Sequence, residues 1–169
     1  MAYHINPDLL TASQEMAGGL LTVPPDARIG RGDQKRWTER LVYEGSEIFE
    51  GEQADNPTVR LNFRVSPAGV GSLNLNRRVS SRNNLDFNAQ QGSGRYIMTA
   101  ISLSRLTAFL RACGVEVPAG GFQLEEFFGP TSFKVLHGTE VMGLVTDKPD
   151  RDDKTIRRQE ITNFVPVED

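Results

Sequence analysis

The chain has 169 residues, 38% of them hydrophobic and 24% charged, with a formal net charge of −3. This length suits one domain with a real core, and the composition excludes a disordered or membrane-spanning chain. One cysteine (Cys113) and two histidines (His4 and His137) exclude a disulfide framework and a multi-cysteine zinc site, and fit a reducing, cytoplasmic compartment.

The charge is unevenly spread. Residues 60–111 hold eight arginines against one acid, Asp86, hence +7, between flanks of −5 each. A concentrated positive field in an otherwise acidic protein attracts a polyanion while the flanks keep it soluble. The bland alternative is that these arginines scatter over the surface or pair with flanking acids.

Residues 1–34 read as a partly irregular N-terminal arm. Residues 1–7 lack the basic and apolar runs of a leader. Residues 9–16 could make one or two helical turns, and Pro24-Pro25 breaks regular structure. Strand patterns start at 37–43 and 47–50, with Glu44-Gly45-Ser46 between them. The clearest strand is 58–65, where Val59, Leu61, Phe63 and Val65 alternate with Arg60, Asn62 and Arg64. After a turn at 66–71, Leu73 and Leu75 alternate with Asn74, Asn76 and Arg78, which predicts a second strand. Paired as a hairpin, the two would share one apolar face and one face of arginine and asparagine.

Residues 80–94 are polar and contain glycine, so a long loop is expected there. A helix should start at Ser102 or Ser104 and bury Leu103, Leu106, Phe109, Leu110 and Cys113, ending at Gly114. Residues 122–130 suggest a short helical turn. Strands are expected at 131–136 and 141–145, then a charged turn at 147–154 and a last strand at 155–164. Five or six strands with one helix before the last of them predict a mainly β fold, a small partly open barrel occupying 35–169 as a single domain.

Catalytic signatures are missing from the sequence. Gly92-Ser93-Gly94-Arg95 lacks the spacing of a phosphate loop, and neither a nucleophile elbow nor a His-Glu-x-x-His site occurs. The carboxylates of Asp150, Asp152 and Asp153 invite a metal or nuclease reading. A calcium loop starting there would have Lys154 in fifth place, Thr155 in sixth and Ile161 in twelfth, so a solvated turn is the better reading. The expectation is a protein with no enzymatic activity, no catalytic residue, no metal and no cofactor. Binding a nucleic-acid single strand needs only a positive track for phosphates and aromatic faces for bases. Arg60, Arg64, Arg77, Arg78, Arg82 and Arg95 supply the first, with Asn62, Asn74 and Asn76 beside them. Trp37, Phe87 and Tyr96 are the aromatics placed to supply the second, while Phe63 belongs to the apolar face.

The alternating strand at 59–65, the helix Leu-Ser-Arg-Leu-Thr-Ala-Phe-Leu-Arg-Ala-Cys-Gly at 103–114, Leu-Glu-Glu-Phe-Phe-Gly at 124–129, Phe-Lys-Val at 133–135 and Arg-Arg-Gln-Glu-Ile-Thr-Asn-Phe-Val-Pro at 157–166 follow one another in a telling order. This layout resembles small phage and prophage proteins found among replication and recombination genes, which look like oligonucleotide-binding-fold, single-stranded-DNA-binding proteins. The resemblance spans roughly 37–167. The first 30 residues have no counterpart in it, and Val167-Glu168-Asp169 is only a trace of the acidic tip of cellular single-strand binders. The resemblance implies an oligonucleotide-binding fold, single-stranded DNA as ligand with RNA as the related possibility, a host-cell cytoplasmic setting, self-association, and replication or recombination proteins as partners. No membrane is expected. The alternative is a virion structural, assembly or adaptor protein.

Overall fold

The computed structural model describes residues 2–7, 10, 20–53, 55–129 and 136–168. Six strands form one antiparallel sheet: β1 (Arg28–Ile29), β2 (Lys35–Phe49), β3 (Thr58–Val65), β4 (Arg78–Asn84), β5 (Glu140–Pro149) and β6 (Arg157–Pro166). The order across the sheet is β4-β3-β2-β5-β6, with β1 beside the start of β2. Helix α1 (Gly94–Ala112) and the short helix α2 (Leu124–Phe128) lie between β4 and β5 in the chain. The protein is therefore mainly β, as expected. No helix among the described residues is long and apolar enough to cross a membrane.

Strand β2 organises the sheet. Its first half, from Lys35 to Val42, pairs with β5, and its second half, from Leu41 to Phe49, pairs with β3. The two β-prone runs expected on either side of Glu44-Gly45-Ser46 are one strand with a bulge inside it: the register slips between Tyr43 and Gly45, and Gly45 has φ +125°. A bulge uses the same Gly chemistry as a turn but bends the strand without reversing it. A Cβ at Gly45 would also meet His137 Nε2 at 3.2 Å. Gly45→Ala should therefore cost about 1–3 kcal/mol, read as a lowered melting temperature with an unchanged fold.

The inner face of the sheet follows the period of two. Leu41 and Tyr43 from β2, all four apolar residues of β3, Val141 and Val145 from β5, and Ile161 and Phe164 from β6 are buried together. Helix α1 covers this face with Leu106, Phe109 and Leu110. Phe109 is the keystone of an aromatic cluster, with ring centroids 4.7 Å from Tyr43, 5.6 Å from Phe63 and 5.5 Å from Phe164. The helix packs against β6 and β4, the two end strands of the sheet, which also approach each other beneath it.

Three further expectations change. The strand predicted at 73–78 is a loop. Val65 N–H donates to Arg77 O at 2.8 Å and Asn76 N–H to Val65 O at 2.9 Å, so β3 is followed by a closed loop, and β4 begins only at Arg78. Its alternation is inverted: Leu73 and Leu75 are exposed and Asn74 is buried. The long loop expected at 80–94 is shorter, spanning 85–93, since β4 runs to Asn84 and α1 begins at Gly94, with Ser93 Oγ accepting from Tyr96 N–H as N-cap. The turn before β6 is shifted, β5 continuing to Pro149. Most of the strand expected at 131–136, including Phe133, Lys134 and Val135, lies outside the described residues, as do residues 11–16 of the predicted N-terminal turns. The described part of the arm joins the domain, with Leu21 in the core and Arg28–Ile29 pairing with β2.

Candidate functional site

Pairing of β3 with β4 sets the candidate surface. Arg60 faces Arg82, Asn62 faces Ser80, and Arg64 faces Arg78. Paired residues share a face, so with the apolar residues of β3 turned inward these six side chains lie together on the outer face. Four arginines thus occupy two cross-strand pairs with a polar pair between them. Like charges placed directly opposite destabilise a sheet.

Carboxylates offset only part of this. Glu47 on β2 accepts from Arg60 Nη2 at 2.8 Å and from Asn62 Nδ2 at 3.1 Å. The Arg60 hydrogen bond, then that of Asn62, holds the Glu47 carboxyl below the usual carboxylate range. Glu44 lies 3.8 Å from Arg78, whose side chain is 86% exposed. Arg64 and Arg82 have no ion-pair partner among the described residues, and Arg64 Nε is buried without an acceptor. One aromatic ring joins the face: Phe49, 40% exposed, with the Arg60 guanidinium carbon 4.9 Å from its centroid. Sequence reasoning missed Phe49. Reading β2 as a single bulged strand, with Phe49 opposite Thr58, would have placed it on the outer face.

The other expected site residues are elsewhere. Asn74 is 1% exposed, and with Arg77 it builds a buried polar network at one end of the sheet. Its amide donates to Glu39 Oε2 at 2.8 Å and to Thr22 O at 2.9 Å, and its carbonyl accepts from Thr22 N–H at 2.7 Å. Arg77 donates to Thr22 Oγ1 at 2.9 Å, to Asn74 Oδ1 at 3.0 Å and to Leu20 O. Asn74 is thus removed from any accessible face, and Arg77 is committed to protein oxygens. Trp37 is 9% exposed, in the core, with no acceptor for its indole Nε1 among the described residues. Continuous alternation along β2 puts it inside with Glu39, Leu41 and Tyr43. Asn76 is exposed in the loop in a left-handed conformation, φ 63°.

Phe87, Arg95 and Tyr96 are not part of the β3–β4 pairs: Phe87 lies in the connection from β4 to α1, and Arg95 and Tyr96 lie in the first turn of α1. Phe87 is half exposed, and its N–H donates to Asp55 O at 2.9 Å, beside a cleft that also holds Glu50 and Glu125. Those carboxylates repel phosphate. Arg95 lies 3.6 Å from Asp86, and Tyr96 is exposed on the helix.

Asp150 and Asp153 cap their own turn. Asp150 accepts from Asp152 N–H at 2.8 Å and from Arg158 Nε at 2.5 Å, and the first of these, then the second, holds its carboxyl below the ordinary range. Asp153 accepts from the Thr155 hydroxyl at 2.6 Å. Among the described residues, no group of three or more His, Cys, Asp or Glu side chains is placed to hold a metal ion.

Burial pushes the Cys113 thiol up to about 12. It should resist alkylation in the native protein at neutral pH and react promptly once denaturant is added; a thiol-labelling time course checks this. No protein-family model matches the chain, and no curated protein matches its sequence.

Proposed function

We propose that this protein binds single-stranded nucleic acid, single-stranded DNA first, without catalysis, and that the outer face of β3 and β4 is its ligand surface. The observation carrying this reading is the pair of cross-strand arginine couples, Arg60 with Arg82 and Arg64 with Arg78, left with two carboxylates for four cations. An anion laid along that face would relieve the repulsion, and a nucleic-acid backbone is a chain of such anions.

The connectivity supports the same conclusion. A long bulged strand that pairs with β3 on one side and β5 on the other, a helix inserted after the third strand of the meander, and end strands that approach under that helix fit a partly open, five-stranded oligonucleotide-binding barrel, with β1 as an addition. In such barrels the faces of the second and third strands carry oligonucleotides. Here those places belong to β3 and β4. Phe49 beside Arg60 offers a stacking surface next to the cations. A role among phage replication and recombination proteins, in the cytoplasm of the host, is the setting the sequence resemblance adds.

The test is a polarisation titration of the full chain with labelled single-stranded DNA, single-stranded RNA and duplex DNA over a range of salt. Single strands should bind with an affinity that falls steeply with salt, by about 0.7 logarithmic units per neutralised phosphate. Flat salt dependence, or no binding, would reject the surface. Glu47→Gln should strengthen binding several-fold, because it removes a carboxylate that competes for Arg60 and Asn62. Because Glu47 is held below the usual range, mild acidification should not mimic that variant: its charge is fully present above the ordinary carboxylate pKa and is lost only as pH falls further. Comparing the two titrations at pH 7 and pH 5 checks this.

A further inference from the structure

A second surface begins where β4 ends the sheet. Between β4, β6 and α1 lies a groove lined by Arg82, Arg105, Arg157 and Arg158, with Glu160 as its one acidic lining residue. Arg82 and Ser80 belong both to this groove and to the outer face of β4, so the two surfaces are continuous. Arg157 and Arg158 are tied to Asp147 and Asp150, which fixes their positions. Arg158 nonetheless keeps a 66% exposed side chain. Arg105 stands at the groove's inner wall, 3.9 Å from Glu160, and that carboxylate is shared with Lys148 at 3.3 Å. Cations therefore exceed acids here as well.

Beyond Arg105 the surface turns apolar. The first two turns of α1 expose Tyr96, Ile97, Met98 and Ile101, between 40% and 60% of each residue. Clustered exposed side chains of this size mark an interaction site more often than chance. Arg105 lines both the arginine groove and the shallow cleft floored by Tyr96, Ile97 and Ile101. A cationic groove opening onto an apolar and aromatic shelf is the pairing a single strand needs for its phosphates and its bases. The cationic groove beside the shelf has the charge that complements a polyanion.

We infer that single-stranded nucleic acid leaving the β3–β4 face turns over the edge of β4, passes its phosphates through the Arg82–Arg105–Arg158 groove, and lays its next bases on the Tyr96–Ile97–Ile101 shelf. This path rests on the proposed reading of the β3–β4 face and extends it to residues that face does not contain.

The experiment compares oligothymidylates of about 4 and about 16 nucleotides, the span of site sizes for a single domain of this kind, on the full chain. Two variants are used: Arg105→Gln, and Tyr96→Ser with Ile97→Ser, the latter at exposed positions where folding is not at stake. Both should leave the short oligonucleotide's affinity unchanged and weaken the long one's about tenfold. Arg105→Gln should also reduce the long oligonucleotide's salt slope by about 0.7. Unchanged affinity for the long oligonucleotide in both variants, with the wild type binding it well, overturns the path and leaves the β3–β4 face standing. So does a fall in sedimentation coefficient of the Tyr96→Ser, Ile97→Ser protein with unaltered binding, which would make the shelf a self-association surface. Failure of the wild type to bind either length rejects the β3–β4 reading, and the path with it.

Discussion

Replacing Arg64, Arg78 and Arg82 together with glutamine should remove most of the affinity for single-stranded DNA while leaving the protein folded. All three side chains lie on the outer face of β3 and β4, and among the described residues only Arg78 has an ion-pair carboxylate, 3.8 Å away. The native structure therefore loses little. It also sheds the repulsion between Arg64 and Arg78, so stability should change by no more than about 0.5 kcal/mol in either direction. The effect on binding is large because each arginine would give up a charge-assisted contact. At about 1.5–3 kcal/mol per contact and a tenfold change for each 1.4 kcal/mol, even a strongly non-additive triple variant should bind at least 100-fold more weakly at low salt, a rough lower bound. The sharper readout is the salt slope, which should shrink by about 2 logarithmic units for three lost phosphates. A triple variant that keeps its slope would show that the arginines do not contact phosphate, whatever its affinity.

The choice of these three, with Arg77 left out, shows how far the sequence could be read. Alternation along 58–65 placed Arg60, Asn62 and Arg64 on one face, because period two in a half-buried strand admits no other arrangement. Their partners could not be read the same way. Leu73, Asn74, Leu75 and Asn76 alternate as a strand would, yet the chain buries Asn74 and exposes both leucines. The cause is tertiary: Glu39 and the backbone of Thr22, distant in sequence, offer Asn74 more hydrogen bonds than a strand position could. The true partner strand, Arg78–Asn84, is poor in β-formers, and from Ser80 onward it reads as a loop. Helix α1 was located by its buried stripe from Leu103 onward, but its first two turns carry no such stripe, so the pattern could not reveal a start at Gly94. Those are the turns that leave Tyr96, Ile97 and Ile101 in solvent. Phe49 was hidden because one glycine can signal a turn or a bulge, and only the pairing of β2 with two different strands decides between them.

Charge also sorts differently in space than along the chain. The positive excess between Arg60 and Arg111 divides among separate tasks: Arg60 clamps Glu47, Arg77 ties the loop to the N-terminal segment, and Arg95 approaches Asp86. Arg157 and Arg158, outside that excess, join Arg82 and Arg105 at the groove under α1. A linear charge count therefore does not say which arginines share one surface, because pairing partners and ion pairs are set by residues distant in the chain.

Asn74→Ala tests that separation from the opposite side. Asparagine 74 links Glu39, Thr22 and Arg77, and the Glu39 residue it serves is only 4% exposed. Removing the amide leaves that carboxylate with the Ser72 hydroxyl, 2.8 Å away, as its remaining side-chain donor. It also strips Thr22 N–H and one donor of Arg77 of an acceptor. A buried charge that loses one of its donors, together with the bonds lost by Thr22 N–H and Arg77, should cost about 3–5 kcal/mol. For a chain of this length that corresponds to a fall in melting temperature of roughly 6–20 °C. Below the new transition the variant should bind single-stranded DNA with wild-type affinity and salt slope, because Asn74 lies beneath the surface and not on it. Calorimetry and the same polarisation titration separate the outcomes: a stable variant with weakened binding would return Asn74 to the ligand surface, while an unstable one with intact binding fixes it as the strut that holds the β3–β4 loop against the end of the sheet.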